Sequence, residues 1–270
     1  MDEKIQKVLA RAGYGSRREI EGWLREGRIR INGRVAKLGD RISGEERIQL
    51  NGRPLRLRQV MPRTIMYHKP VGEVCTRKDP EGRPTIFAHI PPPVAGRWIS
   101  VGRLDLNTSG LLLLTTDGEL ANRLMHPSSE VEREYAVRVL GALSEESLRQ
   151  LREGVMLEDG EAHFHAIRHA GGEGRNQWYH VVLREGRFRE VRRLFEAVGG
   201  TVSRLMRVRY GPIAMPRRLL TGRMAEVKGR ELAELYAAAG LPPPGRERAA
   251  RPARRRKTPS RRRAARRKPA

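Results

Sequence analysis

The stretch VGRLDLNTSGLLLLTTDGELANRLMHP, residues 101–127, decides most of what the sequence predicts about the fold. At its centre, Leu111–Thr115 is a continuous apolar run with loop-forming residues on both sides, which is typical of a buried β-strand. Asp105 precedes that run on a predicted loop, and Gly118–Met125 follows it with the pattern of a helix. A carboxylate on a loop that is anchored at both ends can be exposed and yet rigidly held.

Position alone leaves two interpretations of Asp105. The side chain can bond locally to the turn that leads to Thr108, or it can serve chemistry. Asp117 and Glu119 lie close in sequence, and a pair of carboxylates would indicate glycoside hydrolysis. The Asp117-Gly118 dipeptide before a helical pattern instead favours a helix cap.

The charge of the chain indicates a polyanionic partner. Its 270 residues include 55 Lys and Arg against 31 Asp and Glu, which gives a net charge of +24. Residues 245–270 contain 11 Arg, 2 Lys and a single Glu, so about half of this excess lies outside them. Nucleic acid fits better than membrane, because no apolar run is long enough to span a bilayer and the N-terminus lacks a signal-peptide pattern.

Cysteine content bears on compartment and metal chemistry. Cys75 is the only cysteine, so we expect no internal disulfide, no cysteine-based zinc cluster and a reducing cytoplasm. His163 and His165 are two residues apart, but no matching carboxylate cluster accompanies them, so no metal site is predicted. The GGEG segment at 171–174 lacks the strand-to-helix context of a dinucleotide-binding loop.

Residues 1–60 are predicted to form a small module of two helices and a β-ribbon. Ser16 and Glu19 have the spacing of a capping box that opens the second helix. Asn32-Gly33, between alternating apolar residues, is a strong signal for a two-residue hairpin. The first helix is predicted from apolar residues at helical spacing, which are Ile5, Val8, Leu9 and Ala12.

The same module carries a basic face. Arg17 and Arg18 open the second helix, and few acids lie between Arg28 and Lys37, which favours contact with phosphates over a merely solvated surface. The segment KVLARAGYGSRREIEGWLREGRIRINGRV, residues 7–35, resembles the S4 RNA-binding module. That resemblance implies recognition of RNA by shape and backbone, with Arg17 and Arg18 in contact with the substrate.

Residues 61–240 are predicted to form an α+β domain. Strands do not alternate one-for-one with long helices, which favours a mixed, mainly antiparallel β-sheet with flanking helices. Residues 241–270 are predicted to be a disordered Arg-rich tail. The predicted strands are Thr64–His68, Arg97–Val101, Leu111–Thr115, Tyr135–Leu140, Trp178–Leu183, Val202–Tyr210 and Met224–Val227, and the further helices are Gly118–Met125, a stretch opened by Ser144, and Arg189–Val198.

Several motifs of this domain together resemble one family. The string GRLDLNTSGLLLLTTDG, residues 102–118, is similar to the central motif of pseudouridine synthases of the small-subunit type. Within that family the chain is most similar to the synthase B type that acts on 23S ribosomal RNA, and Glu190 stands where other members usually have Gln. Further motifs of the family follow in the same order as His68-Lys69-Pro70-x-Gly72, Arg133-Glu134-Tyr135, EGRFREVRRLFEAVG at 185–199, and Val202-x-x-Leu205-x-Arg207.

This resemblance implies a catalytic set and a fold. The fold would be an S4-like module followed by a pseudouridine synthase domain. Asp105 would be the catalytic carboxylate at the sugar, by direct attack on C1′ or through a glycal. Tyr135 would pack on the base and serve in proton transfer, and Arg192 would hold the carboxylate ionised and aimed. No cofactor and no metal are expected, because the reaction has no redox step and no external group donor.

Substrate contacts are implied for two further residues. Leu205 would line the uracil pocket, and Arg103 would fill the stack that the extruded uridine leaves. Two interpretations of Lys69 stay open, contact with phosphate and a solvated side chain at the surface. The implied substrate is a uridine of the peptidyl-transferase region, conventionally numbered 2605, in large-subunit ribosomal RNA or an assembly intermediate. We expect a monomer.

Two other classes of function remain open from the sequence. One is a non-catalytic ribosome-assembly factor that keeps the S4-type module. The other is a different RNA enzyme, a glycosylase or a nuclease. The presence of Asp105, Tyr135 and Arg192 together favours the isomerase, because a pure binding protein does not need all three.

Overall fold

The computed structural model describes residues 2–57 and 61–245. The predicted tail therefore lies almost entirely outside the described residues. The N-terminal module consists of β1 (Glu3–Lys4), α1 (Ile5–Arg11), α2 (Arg17–Arg25), β2 (Ile29–Ile31), β3 (Arg34–Val35), β4 (Arg41–Ile42), β5 (Ile48–Leu50) and β6 (Arg53–Leu55). The order β3-β2-β5-β6 forms a four-stranded antiparallel sheet, and β1 pairs with β4.

Local sequence signals explain how this module folds. Ser16 and Glu19 form the predicted capping box, in which the Ser16 hydroxyl accepts from the Glu19 N–H at 3.1 Å and the Glu19 carboxylate accepts from the Ser16 N–H at 2.7 Å. Asn32 and Gly33 both have positive φ, as a tight turn between β2 and β3 requires. The buried core of the module includes Ile20 and Ile29.

The second domain is built on one large sheet. Its elements are β7 (Thr64–Lys69), β8 (Ile99–Ser100), β9 (Ser109–Thr115), α3 (Gly118–Met125), β10 (Arg133–Leu140), α4 (Glu145–Glu153), β11 (Val155–Leu157), β12 (Gly160–Ala162), β13 (Ala166–Glu173), β14 (Asn176–Leu183), α5 (Glu190–Ala197), β15 (Thr201–Tyr210), β16 (Ile213–Ala214), β17 (Met224–Glu226) and α6 (Gly229–Ala238), with 3-10 turns at Ile86–Ala88 and Pro127–Ser129.

The sheet has nine strands in the order β13-β14-β10-β15-β9-β7-β17, with β16 on β15 and β8 on β9. Every neighbouring pair is antiparallel except β15 and β9, which run parallel. The predicted mixed, mainly antiparallel sheet with flanking helices is therefore confirmed. The single parallel pair joins the two halves of the sheet and leads directly to the loop of Asp105.

Burial on both faces explains the unbroken apolar run of β9. Leu111 and Leu113 pack into a core with α3 and α6, whereas Leu112 and Leu114 pack into a second core on the opposite face. All four side chains are fully buried. A strand covered on both sides loses the apolar-polar alternation of a half-exposed strand.

The sequence patterns missed α6 and the strands β11 to β13. Strand β13 runs through the glycines 171–172, with an irregularity in its pairing to β14 between His169 and Gly172. Within the described ranges, no helix is long and apolar enough to cross a membrane.

Candidate active site

Asp105 lies in the loop between β8 and β9, and its side chain is half-exposed. The turn that follows is closed by the main chain, since the carbonyl of Asp105 accepts from the Thr108 N–H at 3.0 Å. Within the described parts of the chain, the carboxylate itself accepts no hydrogen bond and forms no ion pair within 4.0 Å. The structure therefore does not support a capping role for this carboxylate, which remains available to a substrate.

Lys69 supports this loop through hydrogen bonds to main-chain carbonyls. Its side chain is fully buried, and its ammonium group donates to the carbonyls of Pro70, Asp105 and Thr108 at 2.9, 3.1 and 3.0 Å. Burial lowers the pKa of Lys69, and the nearby Cys75, Glu73 and Asp105 oppose that effect. The structure does not favour the expected contact between Lys69 and phosphate, because three carbonyls already take up the donors of the ammonium and its side chain is buried.

Lys69→Met is expected to destabilise the protein by about 3 kcal/mol, because three buried carbonyls lose their donor. It should also lower kcat for the RNA reaction, since the loop of Asp105 loses its support, while the affinity for RNA is unchanged. Urea unfolding and steady-state kinetics measure the two effects. Lys228→Met, which removes an exposed lysine, is the matched control. If Lys69→Met instead weakened RNA binding at unchanged stability and kcat, the result would show that Lys69 contacts a phosphate of the RNA.

Arg192 also supports this loop. This residue of α5 is 8% exposed, and its guanidinium donates to the carbonyls of Val202 at 3.0 Å and Asn107 at 2.9 Å. Burial lowers the pKa of Arg192, Arg189 adds to that effect, and the charge of Asp105 opposes it. The expected direct pairing with the Asp105 carboxylate is therefore not what the structure has. Arg192 positions the loop through the carbonyl of Asn107.

The sheet register brings Tyr135 and Leu205 to the same region. Tyr135 on β10 is half-buried and lies opposite Arg207 of β15, and Arg207 in turn lies opposite Gly110 of β9. Leu205 is buried on β15, two residues before Arg207. The Leu205 carbonyl accepts from the Ser109 hydroxyl at 3.5 Å. Three adjacent strands, β10, β15 and β9, therefore link Tyr135 and Leu205, which the sequence predicts to contact the base, to the segment that follows Asp105.

Arg207 lies opposite Gly110, near the start of β9, a position that sequence patterns do not reveal. It is 2% exposed, its Nε donates to the Leu111 carbonyl at 2.7 Å, and its guanidinium lies over the ring of Tyr210 at 5.1 Å. Register puts Arg207 and Lys69 on either side of Gly110, so both side chains point to one face of the sheet. The only sequence signal for Arg207 is its place in the motif that begins at Val202.

The remaining predicted contacts are solvent-facing. Arg103 is exposed two residues before Asp105, and Arg17 and Arg18 are exposed at the start of α2. None of the three forms an ion pair within residues 2–57 and 61–245. Their charges are therefore available to an anion.

Comparison with known proteins assigns the chain to a family. The family described as RNA pseudouridylate synthase matches residues 63–197, and the S4 domain family matches residues 3–48. The chain is a member of the RNA pseudouridylate synthase family. It is therefore a pseudouridine synthase with an S4 domain at its N-terminus.

Named relatives are similar over most of their length. Ribosomal large subunit pseudouridine synthase B of Yersinia pestis is 58% identical over 232 residues, which cover 84% of this chain and 73% of that protein. The protein of the same name in Escherichia coli K12 is 56% identical over 248 residues, covering 90% and 85%. A solved structure described as a pseudouridylate synthase is 28% identical, with a TM-score of 0.61, and the match covers 86% of this chain and 99% of that one.

Other candidate groups of this synthase have structural roles. Asp117 caps α3, accepting from the N–H groups of Glu119 and Leu120 at 2.9 and 3.2 Å, as predicted. Its second carboxylate oxygen accepts from the Tyr236 hydroxyl at 2.8 Å. Asp117 is thus not free to pair with Asp105 in hydrolysis. Among the residues described, no group of three or more His, Cys, Asp and Glu side chains is arranged to bind a metal.

Glu190, at the start of α5, is a buried carboxyl of the synthase. It is 3% exposed, and its Oε2 accepts from the Arg187 N–H at 2.9 Å. Burial and, to a lesser extent, the neighbouring carboxylate of Glu185 together raise the pKa of Glu190 to about 7, against the opposing effect of Arg187. The folded state therefore favours the protonated form, so stability falls as the pH rises from the unfolded value of 4.5 through about 7.

Glu190→Gln is expected to leave stability unchanged near pH 4.5 and to raise it by about 2 kcal/mol at pH 8, because the buried charge is no longer formed. Thermal unfolding of both proteins across this pH range measures the difference. Glu153→Gln, at an exposed position, is the control. A difference in Tm that does not vary with pH would show that Glu190 is not the titrating group.

Proposed function

We propose that this synthase converts a specific uridine of large-subunit ribosomal RNA to pseudouridine, with Asp105 as its catalytic carboxylate. The target would be the uridine conventionally numbered 2605. The observation that carries the proposal is the free, half-exposed carboxylate of Asp105 on a loop that Lys69 and Arg192 hold by its carbonyls. The named function of relatives at 56–58% identity supports the choice of RNA.

The proposed reaction is an isomerisation. The C1′–N1 bond of the uridine breaks, the uracil turns, and C5 bonds to C1′ while the C5 proton is lost and N1 is protonated. Asp105 acts at the sugar when the uracil departs. Tyr135 packs on the base and assists the proton transfer, and Leu205 forms the apolar wall of the uracil pocket. The proton lost from C5 is balanced by the proton gained at N1, so the product is an isomer of the substrate and no donor is consumed.

The charge around the loop fits an RNA substrate. Lys69, Arg192 and Arg207 are buried cations at the loop or at the strands beside it, and Arg103 is an exposed one. A flipped uridine brings its own phosphates to this region. The buried cations favour that negative charge through space, without contact, and the exposed Arg103 can reach a phosphate directly. Arg103 is suited to enter the stack that the uridine leaves. In this proposal the synthase acts as a monomer in the cytoplasm, on ribosomal RNA or on an assembly intermediate.

Mapping of pseudouridines on large-subunit RNA tests the proposal. The wild-type protein is expected to add one pseudouridine, at the position numbered 2605, to unmodified RNA or to precursor particles. Free uracil without pseudouridine would identify a glycosylase. RNA binding without either product, on both substrates, would identify a non-catalytic assembly factor.

A further inference from the structure

A cleft of about 390 Å³ separates the S4 module from the catalytic domain. Its walls come from α1 and α2 on one side and from β8, the residues before it, and α3 on the other. The lining residues used below are Arg11, Arg17, Arg18, Arg97, Ile99 and Met125. The cleft is distinct from the site of Asp105.

Close backbone contact builds this cleft. A Cβ atom on Gly13 of the S4 module would lie 2.8 Å from Cα of Gly96 in the catalytic domain, closer than side chains are found. Beside this contact, the ammonium group of Lys7 donates to the carboxylate of Glu119 at 2.8 Å. Because both domains contribute glycine at the contact, their chains meet without intervening side chains and fix the two walls of the cleft.

The charges of the cleft divide into neutralised and available ones. Arg11 pairs with Glu3 at 2.6 Å, and Lys7 pairs with both Glu3 and Glu119. By contrast Arg17, Arg18 and Arg97 form no ion pair in the part of the chain that the structure describes. The three available guanidinium groups come from both domains, since Arg97 precedes β8 and the other two open α2.

Further cations lie on the surface between the cleft and the catalytic loop. Ser109 and Thr115, the first and last residues of β9, are about 20 Å apart, since a strand rises about 3.3 Å per residue. Asp105 lies shortly before Ser109, and Gly118, which lines the cleft, lies shortly after Thr115. The length of β9 therefore separates the catalytic loop from the cleft. The surface between them carries Arg103, Arg77 and Lys78, and Arg77 donates to the Trp98 carbonyl at 2.7 Å, beside Arg97.

Hydrogen bonds connect the loop of Asp105 to the segment that reaches the edge of the cleft. The Gly72 N–H donates to the Leu106 carbonyl at 2.9 Å, one residue from Asp105. The Cys75 thiol donates to the Leu104 carbonyl at 3.4 Å, and the segment then reaches Arg77. Residues 72–78 therefore run from the catalytic loop to the edge of the cleft.

We propose that the cleft binds a nucleotide of the RNA substrate about 20 Å from the target uridine. Its phosphate is held by Arg17, Arg18 and Arg97, and its base lies on the apolar surface of Ile99 and Met125, of which Met125 is 37% exposed. Arg97 is the residue that makes this a joint site of the two domains. The proposal rests on the proposed function, because it concerns the same RNA.

Arg97→Ala tests the site in the full chain. The affinity for a large-subunit RNA fragment, measured by fluorescence anisotropy, is expected to fall about ten-fold, and the slope of log K against log salt should decrease by about 0.7 to 0.9. The kcat at saturating RNA should be unchanged, and Arg97→Lys should recover most of the affinity. Arg152→Ala, at an exposed position of α4, removes the same charge elsewhere. Equal affinities of the Arg97→Ala and Arg152→Ala proteins would overturn the proposal.

Two further arms identify the ligand. A minimal RNA whose ends lie within about 15 Å of the target uridine does not reach the cleft. Wild type and Arg97→Ala should therefore bind this RNA with equal affinity. A persistent difference would mean that Arg97 acts at another place. Uridine and adenosine monophosphates should not compete with the longer RNA, and competition at similar affinity would identify a free nucleotide as the ligand. The binding readout is independent of pseudouridine formation, so failure of the proposed function leaves it interpretable.

Discussion

Asp105→Asn is expected to lower pseudouridine formation by at least about 10⁴-fold, as removal of a central catalytic group does in other enzymes. The amide is nearly isosteric but is a poor nucleophile and base. Stability and RNA affinity should stay at the wild-type level, because in the described structure the carboxylate of Asp105 accepts no hydrogen bond. Single-turnover assays with excess enzyme measure the chemical step, and anisotropy measures RNA affinity.

Asp117→Ala is the control for this substitution. It removes the cap of α3 and the acceptor of the Tyr236 hydroxyl, so it should cost about 1–2 kcal/mol of stability while leaving the chemical step intact. The two aspartates would thus separate catalysis from structure within one loop-strand-helix segment. An Asp105→Asn enzyme with a wild-type rate would remove Asp105 from the mechanism. It would also leave the free carboxylate without a function.

Gly110→Ala is expected to destabilise the catalytic domain by at least about 4 kcal/mol, the upper end of single substitutions. Gly110 has a φ of +106°, and a Cβ there would clash with the main-chain oxygen and nitrogen of Arg207. Both atoms belong to β15, so relief requires separation of the one parallel strand pair. That separation would also move Leu205 away from the loop of Asp105. Urea unfolding measures the loss of stability.

Gly141→Ala separates the steric effect from backbone strain. Gly141 also has a positive φ, +88°, but a Cβ there would meet no atom within 4 Å. Its substitution should therefore cost only the strain of a left-handed residue, about 1–2 kcal/mol. If the two alanine substitutions cost the same, close approach of β9 and β15 does not decide the need for Gly110.

Much of the local structure could be predicted from the sequence. Helix α3 has the predicted bounds, and the capping box of Ser16 and Glu19 is present. These features depend on residues within a few positions of one another, whose patterns are legible in one chain. Helix α6 escaped prediction, and only Leu235 and Tyr236 of its residues are buried. Its apolar residues Leu232, Leu235 and Tyr236 recur at helical spacing over little more than one turn, which is a short signal in a sequence.

The candidate site was predictable as a set of residues but not as an arrangement. The resemblance named Asp105, Tyr135, Arg192 and Leu205, and the sheet connects the strands that carry or support them. Lys69 was expected at the surface, yet its ammonium group is buried against carbonyls 36 and 39 residues further along the chain. Arg192 was expected on the carboxylate, yet it donates to a carbonyl 85 residues away.

The sequence by itself determined the family, the order of the two modules and the strand-loop-helix segment around Asp105. Those properties are encoded in apolar periodicity, caps, turns and contiguous motifs, which act over short distances. Only the tertiary structure decided which cations support the loop and which remain free for RNA. The pairing of β9 with β15, whose partners lie about a hundred residues apart, buries Arg207, as pairing with β7 buries Lys69. Burial leaves a charged group no partners but the carbonyls around it, and no local pattern specifies them.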